Sequence, residues 1–286
     1  MDTLKTIDGL TLALHRWQAA GAARGTVQIV HGLGEHMGRY VWLAGQLNGA
    51  GWNVVGHDQR GHGRSEGRRG AIADSHALLA DLALVSDALR GSGANVLLGH
   101  SLGGLVAARF VAEGLAKAPA PWWRPFDGLV LSSPALQVEL GGAQKALLAV
   151  LGSVAPNLAV NNGLKPEWIS RDASVVKAYV DDPLVHDRVT PRLVRFMIDG
   201  GQRVRERAAA WTTPTLLLWA GADRCVLPAG SAAFAAAAPR GVLAAHEFPT
   251  LAHEIFNEPE RAEVSSQLLA WLARFYTRPL AGDTPP

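Results

Sequence analysis

Ser101 sits at the centre of the pentapeptide GHSLG, residues Gly99–Gly103, where an apolar run gives way to a helix-patterned segment. A G-x-S-x-G motif at a strand-to-helix turn is a nucleophile elbow. Such a turn strains the backbone of its central residue and leaves little room two positions away. Glycine at 99 and 103 supplies that room, and Gly104 lets the new helix pack closely. The hydroxyl is then held out at the end of a sheet, above a helix N-terminus. A serine hydroxyl is a poor nucleophile near neutral pH, so it needs a base, and the base needs an orienting acid.

Acid and then histidine are expected to follow the elbow in chain order. Three histidines follow Ser101: His186, His246 and His253. His246 falls within the strand-like AAHEFP and His186 within a long segment without strands. His253, in PTLAHEIFNEPE after the last strand, is the expected base. Asp223 closes the apolar run TPTLLLWAGAD and is the expected acid. Its rivals are Asp199, on a helix, and Glu254, expected to point away from its neighbour His253.

Attack on an ester carbonyl builds charge on oxygen, and losing one preorganised donor to it typically costs about 2.7–4 kcal/mol. The elbow supplies the backbone N–H of Leu102. A second donor is expected from the glycine-rich HGLGEH, His31–His36, where Leu33 can offer its N–H. His31, Gly32, His57 and His100 are read as shaping loops. No histidine or carboxylate spacing resembles a ligand set, so no metal and no organic cofactor are expected.

Strand-like runs at Thr26–Gly32, Asn53–Asp58, Asn95–Ser101, Gly128–Pro134, Thr213–Asp223 and Ala244–Pro249 alternate with helix-like stretches near Val41–Ala50, after Ser101 and at Ser231–Ala238. A last helix is expected over Pro259–Tyr276. The fold class is therefore α/β: a mostly parallel central sheet with helices on both faces. Near-unbroken apolar strands such as VLL and LVL fit burial on both sides. Residues 135–211 break the rhythm, with no convincing strand. A structureless loop of that length would be unusual, so they are expected to form a helical cap inserted into a core made of residues 1–134 and 212–286. The tail after Arg278 is expected to be loose.

The 286 residues are 48% hydrophobic and 18% charged, with a formal net charge of +2. That composition is globular. The short cluster Arg64, Arg68 and Arg69 is diluted by Glu66 and glycines, so no nucleic-acid partner is expected. One cysteine, Cys225, excludes an internal disulfide and is expected to be buried. The N-terminus alternates polar and apolar residues and shows no secretory signal, and Ala146–Ala155 is about half the length that spans a bilayer. A cytoplasmic protein is the expectation. KALLAVLGSVAPNLAV, residues 145–160, could offer an apolar face for transient contact with a membrane or micelle. Trp122, Trp123, Trp168 and Trp211 border that region. The sequence carries no signal for oligomeric state.

HGLGEHMGRY, GHDQRGHGRSEG, GHSLGG, GADR and HEIFNEPER, in this order, resemble the monoacylglycerol lipase and lysophospholipase branch of the α/β-hydrolases. The resemblance runs from about Thr26 to Trp271. It implies an α/β-hydrolase fold and a cofactor-free serine hydrolase that cleaves esters of a single acyl chain, a monoacylglycerol above all. It also implies a helical cap around an apolar tunnel. Ser101 matches the family's nucleophile, Asp223 its acid, His253 its base, and Leu33 and Leu102 its oxyanion donors. Cys225 does not match the offset at which some members carry a cysteine, and the cap matches least. A lysophospholipase, a broad carboxylesterase or acyltransferase, and a non-catalytic ligand-binding protein on the same scaffold are the alternatives. An elbow serine speaks against epoxide or haloalkane hydrolysis, which uses aspartate there.

Overall fold

The computed structural model describes residues 2–139 and 141–275. Chain order runs β1 (Thr3–Lys5), β2 (Thr11–Trp17), β3 (Gly25–Val30), α1 (Val41–Gly49), β4 (Trp52–His57), α2 (Ala77–Leu89), β5 (Ala94–His100) and α3 (Leu102–Glu113). It continues with β6 (Gly128–Ser132), α4 (Gly142–Val154), β7 (Val160–Asn161), α5 (Ala173–Asp181), β8 (Arg188–Val189) and α6 (Pro191–Arg207). It closes with β9 (Thr215–Ala220), α7 (Pro228–Ala237), β10 (Leu243–Phe248) and α8 (Arg261–Leu272).

Eight strands form one sheet in the order β1-β2-β4-β3-β5-β6-β9-β10. Pairing from β4 to β10 is parallel, and β1 and β2 close one edge antiparallel. Successive side chains of a strand point to opposite faces, and here both faces are covered. Leu97, Leu129 and Leu217 pack with residues of α2, α3, α6 and α7. Their neighbours Val96, Leu98, Val130 and Leu216 pack with α1 and α8. This is why the strands read as continuous apolar runs.

The edge hairpin β1–β2 and helix α2 have no counterpart among the expected elements. The expectation that residues 135–211 hold no strand is corrected: β7 and β8 pair antiparallel over two residues each, Val160 with Val189 and Asn161 with Arg188. Otherwise that segment leaves the sheet after β6, carries α4, α5 and α6, and re-enters at β9. The last helix ends at Leu272 and tightens into a 3-10 turn through Phe275; Tyr276 and the tail after Arg278 lie outside the described residues. Because the parallel strands share one direction, their C-terminal ends open onto one edge, where Ser101, Asp223 and His253 follow β5, β9 and β10.

Candidate active site

Ser101 adopts φ 53° and ψ −120° between β5 and α3, a left-handed backbone that costs a non-glycine residue about 1–3 kcal/mol. The turn is held by a hydrogen bond from Ser101 N–H to Ser132 O, 3.0 Å. A Cβ on Gly99 would lie 2.4 Å from the Gly103 carbonyl oxygen, and one on Gly103 would lie 2.1 Å from that of Val30. Both glycines are therefore required by backbone crowding, not by chain flexibility. The N–H of Leu102 opens α3 and, like the N–H of Leu33, donates to no acceptor among the described residues. The loop carrying Leu33 is fixed one residue earlier, where Gly32 N–H donates to Glu35 Oε1 at 2.6 Å.

His253 and Asp223 meet at 2.6 Å between Nδ1 and Oδ2. The other oxygen of Asp223 accepts the backbone N–H groups of Cys225 and Val226, at 2.8 and 3.1 Å, which fixes the carboxylate. Burial works against charge on His253, but the adjacent Asp223 outweighs it and raises the imidazole pKa above its ordinary value. With Nδ1 engaged, Nε2 is the nitrogen left for proton transfer. Ser101 Oγ and His253 line the same chamber without a hydrogen bond between them; such contacts are often long before substrate binds.

Neither alternative acid approaches His253 as a partner. Asp199 is exposed on α6, and the Glu254 carboxylate turns to Arg39, with hydrogen bonds of 2.5 and 2.7 Å. Of the other two histidines, His246 is exposed on β10, while His186 lines the chamber with its ring tilted against that of His62, centroids 4.6 Å apart. His31 bonds to Gly32 O and, across to the segment after β4, to Gln59 N–H, and His100 at the end of β5 bonds to Ser132 at the end of β6.

The sequence reading missed a buried polar cluster beside the site. Glu35 accepts from Tyr40 Oη at 2.8 Å and from Arg39 Nη1 at 3.0 Å, and Tyr179 stacks on the Arg39 guanidinium at 4.8 Å. Burial alone would raise the Glu35 pKa, but Arg39 holds it well below the ordinary carboxylate range. The four-residue spacing of Glu35 and Arg39 in HGLGEHMGRY was a usable signal for half of this cluster. Glu254 lies too far along the chain to have been paired with it.

Two chambers meet at Ser101. One of about 310 Å³ runs past Glu35, Tyr179, Asp182 and Glu254. The other, about 520 Å³, runs past Val138, Val189, Val194 and Met197. Leu33 and Cys225 line both, and Cys225 is half-buried at the edge of the site where the expectation had it simply buried. The thiol borders the site because the turn after Asp223 folds back toward the elbow. Asp223, Cys225 and His253 bring possible ligand atoms within 4.8 Å of one another. Both oxygens of Asp223 are already committed, and burial with the nearby Asp223 charge keeps the thiol protonated. The trio fits a hydrogen-bonded pair beside a thiol better than a coordination site.

The model of a hydrolase family described as serine aminopeptidase, S33, matches residues 21–260. The monoacylglycerol lipase of Mycolicibacterium smegmatis is 35% identical over 277 residues, covering 93% of this chain and 94% of that one. Phospholipase YtpA of Bacillus subtilis is 31% identical, over 83% of this chain and 91% of its own length. An uncharacterised abhydrolase domain-containing protein of Dictyostelium discoideum is 29% identical over 95% of this chain, which spans 29% of that longer protein. Among solved structures, the monoacylglycerol lipase of Paleococcus ferrophilus superposes with a TM-score of 0.82 at 35% identity, over 92% of this chain and 99% of that one. With an elbow serine and a histidine–aspartate pair at the end of a mostly parallel sheet, the chain belongs to this hydrolase family and to the monoacylglycerol lipase branch of the α/β-hydrolases.

Proposed function

We propose that this protein is a carboxylic ester hydrolase that releases a free fatty acid and glycerol from a monoacylglycerol, with Ser101 as nucleophile, His253 as base and Asp223 as its orienting acid. The observation that carries the reading is the 2.6 Å bond between His253 Nδ1 and Asp223, which leaves Nε2 for a serine held in a strained elbow on the same chamber wall.

The steps follow from that arrangement. His253 Nε2 takes the Ser101 proton as Oγ attacks the acyl carbonyl, and the oxyanion is received by the N–H groups of Leu33 and Leu102. Collapse breaks the ester bond, and the imidazolium returns its proton to the departing glycerol oxygen. Water then enters, gives a proton to His253 and attacks the acyl-enzyme; the second collapse frees the fatty acid and restores the hydroxyl. Asp223 orients the imidazole and stabilises its positive form.

The larger chamber has Val138, Trp168, Val189, Val194 and Met197 on its wall beside the polar Glu139, Asn162 and Arg224, and its apolar part suits an acyl chain, at about 0.8 kcal/mol per buried methylene. The smaller one suits the alcohol. Glu35, Asp182, Asp187 and Glu254 line it against one lysine, Lys165. Arg39 pairs with both Glu35 and Glu254, and His36 with Asp182, so the wall offers hydrogen-bonding groups with little unpaired charge, which suits the hydroxyls of a neutral glycerol. Residues 135–211 act as a helical cap over these chambers. Val150, Val154 and Leu158 are 61%, 76% and 45% exposed on and just after α4, which favours peripheral contact with a lipid surface. Among the described residues no helix is long and apolar enough to cross a membrane.

Hydrolysis of 1-monolauroylglycerol, lysophosphatidylcholine and ethyl laurate, with Ser101→Ala as control, tests the reading. Preference for the monoglyceride is expected. Preference for the lysophospholipid would overturn the head-group assignment, and activity within tenfold of wild type in Ser101→Ala would overturn the nucleophile.

A further inference from the structure

The loop that carries His253 is tied on its far side to a buried carboxylate that the mechanism above does not use. Glu258 is 1% exposed. Its Oε2 accepts the N–H of Ala252, the residue before His253, at 2.9 Å, and also Arg171 Nε at 2.6 Å. Its Oε1 accepts Ser170 Oγ at 2.7 Å and Arg171 N–H at 2.6 Å. Ser170 and Arg171 belong to residues 135–211. A further bond runs along the same seam, from Glu254 N–H to Ile169 O at 2.8 Å; the Ser170 hydroxyl, whose one proton goes to Glu258, also lies 3.2 Å from Asn257 O. One carboxylate thus joins the residue before the base to the inserted segment, with four donors on its two oxygens, while Glu254 N–H ties down the residue after it. Burial disfavours its charge, but Ala252 N–H, Arg171 and Ser170 outweigh that and hold its pKa below the ordinary value.

A carboxylate so placed does more than fill space. The bond at Ala252 N–H fixes the peptide plane between Leu251 and Ala252, one unit ahead of His253, and so constrains the direction from which the imidazole approaches Asp223. Misplacing a catalytic group by about 1 Å can cost on the order of 100-fold in rate. We propose that Glu258 is a positioning residue for the base, holding the His253 loop in register by bonding at once to Ala252 N–H and to the inserted segment at Ser170 and Arg171. This rests on His253 being the base. It makes correct seating of the Ile169–Arg171 strip a condition for chemistry as well as for substrate binding.

Glu258→Gln tests it on the full-length protein. The amide NH2 must face either Ala252 N–H or the donors of Ser170 and Arg171, so one side of the joint is lost. We expect kcat on a soluble short-chain ester to fall at least 30-fold while KM stays within twofold. The low-field proton resonance of the His253–Asp223 bond should shift or broaden. Glu258→Asp, which keeps the charge on a shorter arm, should recover part of the rate. Unchanged kcat and an unchanged low-field proton in a folded Glu258→Gln protein would overturn the assignment. If that variant does not fold, Arg171→Met decides, since its side chain is 42% exposed. A fall in kcat at constant KM supports the joint, and wild-type kcat overturns it. Ser101→Ala, assayed alongside, reports on the nucleophile alone, so failure of the proposed chemistry and failure of the joint give different results.

Discussion

Arg39 and Glu254 meet through two hydrogen bonds, and the same Arg39 Nη1 lies 3.0 Å from Glu35. One buried guanidinium therefore bridges the loop that offers the Leu33 N–H and the loop that carries His253. Its side chain is 11% exposed, those of Glu35 and Glu254 4% and 6%. A charge so buried is stabilising only while its partners remain.

Arg39→Met should consequently destabilise the fold by about 3–5 kcal/mol, the usual cost of stranding buried charges. Glu35 loses the cation that holds its pKa down against burial, so the loss should shrink at lower pH as that carboxyl takes up a proton. Urea unfolding at pH 5 and pH 8 measures it. Equal loss at both pH values would mean that the packing of the stem matters and the charge does not.

The raised pKa of His253 fixes the sign of two pH dependences. In the proposed mechanism His253 must be neutral to act as base, so kcat/KM should fall as pH drops through a pKa above the ordinary 6.5. Stability runs the other way. Protonation is favoured in the folded state, so this group's contribution is complete below its unfolded pKa and is lost as pH rises through the folded one. Asp223→Asn should remove the acidic partner that raises the pKa, moving the acid limb of the rate profile down and lowering kcat about 10⁴-fold. A pH–rate profile of both proteins checks this. An acid limb that stays in place in Asp223→Asn would detach it from His253.

Gly103 and Gly45 are both helical glycines, and they should answer oppositely to alanine. A Cβ at 103 meets the carbonyl oxygens of Val30 and His31 at 2.1 and 2.3 Å, while at exposed Gly45 in α1 nothing lies within 4 Å. Gly103→Ala should displace the elbow and abolish turnover. Gly45→Ala should stabilise by about 0.5–1 kcal/mol with activity unchanged. Thermal unfolding and initial rates on the two variants separate them, and an active Gly103→Ala enzyme would contradict the elbow geometry.

The parts of this molecule legible in its sequence are those where one local rule acts alone. Leu97, Leu129 and Leu217 announced strands because both sheet faces are covered, and Ser101, Asp223 and His253 each follow a strand end. The three-residue β1 was not legible, since an edge strand this short has no periodicity to read. The cluster of Glu35, Arg39 and Glu254 depends on a contact 215 positions apart. Glu258 lay in plain view in HEIFNEPE. Its role depends on Ser170 and Arg171, in the stretch where residue patterns constrain the fold least.

The apolar surface of α4 separates a lipid-docking role from simple exposure. Val150 and Val154 are mostly exposed and Leu158 nearly half so, so replacing all three with serine should cost only about 1–2 kcal/mol of stability. Removing three aliphatic side chains from a lipid contact should instead weaken it measurably, at roughly 25 cal/mol per Å² of surface no longer covered. The triple variant should float less with vesicles and hydrolyse vesicle-borne monoacylglycerol more slowly, while its rate on a dissolved short-chain ester stays at the wild-type level. Equal flotation would assign the patch no part in lipid contact. Loss on the dissolved ester as well would show that α4 shapes the chamber itself.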